Sequence, residues 1–205
     1  MSTQVFEVEL RASSLRSGRR LEYITIIWNA LEGIVAVGAG VAAGSIALVG
    51  FGADSAIEVS SGAIVLWRLA SGEHRERLAL RLVGLSFLAL AAYVAFDAVT
   101  SLWSREIPEV SYVGIAIAAL SLIVMPVLAR AKRNVAITLK SGAMHADARQ
   151  TDICAYLSAI LIGGLFLNAV VGWWWADPVA AMIMMPIIAA EGIKALRGKT
   201  FGDCC

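Results

Sequence analysis

At 205 residues the chain is long enough for one or two soluble domains, yet 59% of it is hydrophobic and only 16% is charged. That is well above the ~45–50% apolar content of soluble domains. A net charge of +1 excludes a global basic field for nucleic acid, and three cysteines, one in an apolar run and two at the extreme end, exclude a disulfide framework.

Arg11, Arg16, Arg19 and Arg20 precede the first apolar stretch, as in a secretory signal. The stretch exceeds the ~7–15 residues of a signal core and carries Asn29 and Glu32, so it reads as a membrane span. Residues 1–20 form an N-terminal arm on the cytoplasmic side, suited either to an amphipathic surface helix (Val5, Phe6, Val8, Leu10, Leu15) or to a disordered segment.

Six spans of about the ~20 residues that hydrocarbon requires follow in order: Tyr23–Ala43, Ser45–Leu69, Leu78–Leu102, Val110–Ala129, Ala143–Val171 and Trp174–Leu196. Backbone groups in lipid must pair internally and strand-type alternation is absent, so the spans are helices. The expectation is an all-α membrane protein with a transmembrane domain over 21–197 and a cytoplasmic tail over 198–205. Arginine and lysine crowd the N-terminal arm, the second and fourth connections and the C-terminus, while the alternate connections hold only Arg105. Both termini are therefore expected in the cytoplasm. Trp173, Trp174 and Trp175 fit the outer interface, Asp177 and Pro178 the start of the sixth helix, and Pro126 and Pro186 bends in helices four and six.

Buried acids carry the chemistry. An ionised group at the bilayer centre costs ~2.5–3.5 kcal/mol on insertion scales. The chain nevertheless places Glu32, Asp54, Glu58, Asp97, Asp147 and Asp152 in spans, with Arg149 as the one base among them. Asp54 and Glu58 lie four apart, on one helix face, where like charges repel. A divalent cation between them removes that penalty, and the small residues around them (Gly50, Gly52, Ala53, Ser55, Ala56, Ser60, Ser61, Gly62) leave room for one. Aligned without gaps, the segment from Ser45 matches the segment from Ser141, so that Gln150 falls opposite Asp54 and Cys154 opposite Glu58. Paired segments near the midplane are a common transporter layout.

On these residues the chain resembles the cation diffusion facilitators. Ser45, Ala47, Leu48, Asp54 and Glu58 match the helix-two motif of that family. Ser141, Ala143 and Ala146-Asp147-Ala148 match helix five, and Trp173-Trp174-Trp175-Ala176-Asp177-Pro178 matches the entry into helix six. The resemblance implies six spans, export of divalent transition metal in exchange for protons, a homodimer, and a site of two side chains from each of helices two and five. It casts Asp54, Glu58, Gln150 and Cys154 as metal ligands. Asp147, on nearly the same face as Cys154, is a further carboxylate candidate. Asn29, Glu32, Asp97 and Asp152 are assigned to the ion path. Amide and carboxylate donors suit hard ions and thiolate suits zinc or cadmium; zinc is the first expectation, with cadmium, cobalt, iron and manganese open. No cytoplasmic domain is expected after helix six, no prosthetic group is expected, and the expected location is multi-pass in the plasma (inner) membrane. The alternative is a membrane metal sensor or scaffold that binds without flux. Neither His74 nor His145 lies deep in a span, so a nucleophile–base pair is lacking and an enzyme is not expected. Asp203, Cys204 and Cys205 could capture a thiophilic metal or be a neutral tail.

Overall fold

The computed structural model describes residues 2–43, 46–105 and 111–198. Within them lie six long helices: α1 (Ser2–Ala43), α2 (Ile46–Ser71), α3 (Glu76–Ser104), α4 (Tyr112–Leu139), α5 (Gly142–Val171) and α6 (Ala176–Leu196). Four stretches, Phe6–Ala43, Leu48–Ser71, Glu73–Ser104 and Tyr112–Leu139, are long and apolar enough to cross a bilayer by length and composition. Ser45 and the segment Asp203–Cys205 lie outside the described residues.

The arm does not separate from the first span. Helix α1 runs 42 residues without a break, roughly 63 Å at 1.5 Å per residue, twice the thickness of hydrocarbon. Its first half packs on the bundle. Gly18 is buried where a Cβ would meet Leu69 Cδ1 at 3.2 Å and Val135 Cγ1 at 3.3 Å, and Arg19 donates to the Leu69 carbonyl at 3.0 Å. Arg11 pairs with Glu73.

Apolar side chains face outward and polar ones inward, which is the arrangement lipid selects. Ile27, Leu31 and Ile34 of α1, Phe96 and Val99 of α3 and Ile123, Val127 and Ile137 of α4 are exposed. The opposite stripe of α1, namely Glu22, Thr25, Asn29 and Glu32, is fully buried. Two apolar clusters stabilise the bundle. One joins Val65, Phe87, Leu90, Met144, Ile153 and Ile188; the other joins Ala36, Leu48, Phe51, Met125, Cys154 and Leu161. Both clusters draw on α2, α4 and α5.

Glycines set the tightest crossings. A Cβ on Gly52 would lie 2.5 Å from Val37 Cγ2 and 3.1 Å from the Gly33 carbonyl, so α1 and α2 touch backbone to backbone there. Gly84 and Gly192 bring α3 onto α6 in the same way, each Cβ meeting the other carbonyl at 3.0 Å. Pro126 and Pro186 lie inside α4 and α6.

One end of the bundle is tied by a carboxylate. Glu76 pairs with Arg68 and accepts from the Ser141 hydroxyl at 3.1 Å and the Ala143 amide at 2.7 Å. It satisfies an orphan N–H in the first turn of α5 while joining the end of α2 to the start of α3.

Candidate metal site

Close approach at Gly33 and Gly52 puts Glu32 of α1 opposite Ser55 of α2, whose hydroxyl donates to Glu32 Oε1 at 2.9 Å. The Trp28 indole donates to the other oxygen at 2.7 Å. Cys154 of α5 approaches Glu32 Oε1 at 4.0 Å from its sulfur and is also close enough to Asp54 and Glu58 to interact with both. Gln150 lies one turn away from Cys154 on the same helix and is buried. Asp54, Glu58, Gln150, Cys154 and Glu32 are thus all buried in the central part of the bundle.

The polar atoms of this layer are unsatisfied to an unusual degree. Among the described residues, both carboxylate oxygens of Asp54, both of Glu58 and both amide atoms of Gln150 lack a hydrogen bond of ordinary geometry, although Cys154 is near enough to interact with both acids and Lys132 and Thr151 with Glu58. Buried polar groups ordinarily find one, and an orphan costs about 1–3 kcal/mol, more when charged. A cation can satisfy several of them together. The donors are oxygen and sulfur, which fits a borderline transition metal. Among the described residues, however, no three His, Cys, Asp or Glu side chains stand close enough together to enclose an ion.

Asp147 lies in a neighbouring layer that borders Glu58. Its Oδ2 is 2.5 Å from Lys132 Nζ and its Oδ1 accepts from Ser61 at 2.6 Å. Lys132 also lies 3.1 Å from Glu22 and 3.4 Å from the Thr151 hydroxyl. This is a second layer, one turn along α5 from Gln150. Lys132, Glu22 and Asp147 are all fully buried. The carboxylate that the sequence offered as a further ligand is occupied by a lysine.

Sequence reasoning missed both Lys132 and Glu22. Lys132 is one of the basic residues that the sequence crowds into the fourth connection, although it continues the buried series Gly114, Ala118, Ser121, Met125, Ala129 at helical spacing. Glu22 fell one residue outside the assigned span, although the spacing 22, 25, 29, 32 and 36 marks one face.

The ion-path residues divide. Asp97 faces Gly50 beside Tyr93, and a cavity of about 50 Å³ lined by Asp54, Tyr93, Asp97 and Gly50 joins it to the central layer. That is room for water next to Asp54. Asn29 donates to the Thr25 carbonyl at 3.0 Å and leaves its buried Oδ1 without a partner among the described residues. Asp152 is engaged by cations: Arg133 lies 2.5 Å from it and Arg149 3.8 Å, and Arg149 also reaches Glu191 at 3.6 Å. Arg149, three residues earlier on the same helix, is the more distant of the two arginines. The arginine of α4 is what completes the pair.

A family model described as the cation efflux transmembrane domain matches residues 23–199. Transmembrane protein 163 of Xenopus laevis is 29% identical over 153 residues, which cover 72% of this chain and 54% of that protein. The chain therefore spans about half the length of this relative. A match over most of the sequence, on a helical bundle with a polar interior, places the protein in a family: the chain belongs to the cation efflux family.

Proposed function

We propose that the protein exports a divalent transition metal, zinc first among the candidates, in exchange for protons, as a multi-pass homodimer in the plasma (inner) membrane. The transport unit covers residues 21–197, with the arm and tail on the cytoplasmic side. The carrying observation is the set of oxygens on Asp54 and Glu58, buried without a hydrogen bond of ordinary geometry among the described residues.

In this reading the two carboxylates take the cargo first. Gln150 and Cys154 approach from α5 as α2 and α5 draw together, which fits a set of donors not yet closed into a shell. Glu32 lends further negative charge from α1. Metal binds the deprotonated ligands, so each uptake releases protons, and protons arriving from the far side expel the metal. The Asp54–Asp97 cavity supports an exit on the side of the α3 C-terminus. Lys132 lies between Asp147 and Glu22, so the carboxylates of the second layer are engaged by a lysine rather than by the ion. The cycle moves an ion and makes no covalent bond.

The test is zinc flux into proteoliposomes holding the full chain under an imposed proton gradient. Wild type is expected to accumulate zinc, while Asp54→Asn and Glu58→Gln, inserted equally well, lose it. Zinc binding without flux in the wild type would favour a sensor, and full flux in the double variant would refute the site.

A further inference from the structure

At the end of the bundle tied by Glu76, a second cavity of about 380 Å³ opens between the start of α3, the α4–α5 turn and the end of α6. Its lining includes Arg77, Arg81, Lys140 and Arg197, all exposed, and Glu76 as the one acid. Among the described residues none of the four cations makes an ion pair or donates a side-chain hydrogen bond. Glu76 is one acid against the four, and its charge is already paired with Arg68.

Four like charges converge from three separate parts of the chain on one concavity. Lys140 does so at a conformational cost: its backbone is left-handed, with φ 50 and ψ 41, where glycine or asparagine sits easily. Three arginines offer planar forks matched to phosphate oxygens. The volume is within the range of pockets that hold small ligands. A basic pocket between helix ends at a membrane surface suits a phosphorylated head group.

We propose that this cavity binds a phosphomonoester-bearing polyanion through Arg77, Arg81, Lys140 and Arg197. The same chemistry is offered by a phosphorylated lipid of the adjoining leaflet and by a soluble phosphate ester.

The test uses the purified full chain in neutral phosphatidylcholine nanodiscs. One arm adds a small fraction of phosphatidylinositol 4,5-bisphosphate to the discs; the other titrates inositol trisphosphate and inorganic phosphate from solution. Each interfacial cation is worth about fivefold in binding, so Arg77→Gln with Arg81→Gln should weaken it about thirtyfold. Lys140→Gly should weaken it about fivefold while preserving or raising thermal stability, since glycine relieves the left-handed backbone. Arg130→Gln, on α4 and not in the cavity lining, should change nothing. Binding in the lipid arm assigns the site to the leaflet, and binding only in the soluble arm assigns it to a free phosphate ester; either supports the pocket. No binding in either arm overturns the proposal. So does equal binding by wild type and the cavity variants, or a loss with Arg130→Gln as large as theirs, which would mean diffuse attraction to a basic surface.

Discussion

Asp54 and Glu58 are buried, four residues apart, and short of partners among the described residues. Removing one charge there relieves repulsion, so Asp54→Asn should leave the thermal midpoint unchanged or higher while lowering zinc affinity more than about tenfold. Stability and function should move in opposite directions, which a structural acid would not do. Lys132 behaves the other way. Lys132→Met leaves Asp147 and Glu22 facing each other without a cation and should cost about 3–5 kcal/mol, read as a lower unfolding midpoint in detergent. Adding Asp147→Asn should recover part of that loss, because the two sites share one network. Cys154→Ser keeps the shape and removes the soft donor. It should shift preference away from zinc and cadmium toward harder ions, measured by competition between zinc and manganese. The Asp54–Glu58 pair was legible because spacing and sequence chemistry are local. The Lys132 layer was not, because a lysine next to Arg130 and Arg133 reads as a loop charge until α4 is known to run on to Leu139.

At the scale of elements, glycine contacts decide which side chains meet. Gly52→Ala places a methyl 2.5 Å from Val37 Cγ2 and 3.1 Å from the Gly33 carbonyl, and a backbone atom cannot swing aside. Overpacking of this kind costs about 1–3 kcal/mol. The variant should unfold earlier and should also transport less, because α1 carries Glu32 toward Ser55 and Cys154; a thermal melt and a flux assay on the same preparation check both. Helix number and order were readable from apolar length, and the closeness of α1 to α2 was foreshadowed by small residues around Asp54. What the sequence could not give was the continuity of α1 through its arginine-rich first half. Its charges suggested a separate arm, whereas Gly18 and Arg19 hold that half against Leu69.

At the scale of the whole molecule, the buried side chains among the described residues include Glu22, Glu32, Asp54, Glu58 and Asp147 against Arg68 and Lys132, while the outward surface is apolar. In the proposed function, that imbalance would couple cargo to pH. Metal needs deprotonated carboxylates and thiol, so zinc uptake should strengthen as pH rises and fail as it drops, and uptake into weakly buffered solution should release protons. Topology in this picture rests on the distribution of Arg and Lys among helix ends, not on the packing of the core. The most direct test of the central claim is calorimetric titration of zinc into the purified chain, wild type against Asp54→Asn with Glu58→Gln. Saturable binding with proton release in the wild type, lost in the double variant at unchanged fold, is the predicted result. Equal binding by both proteins would contradict it.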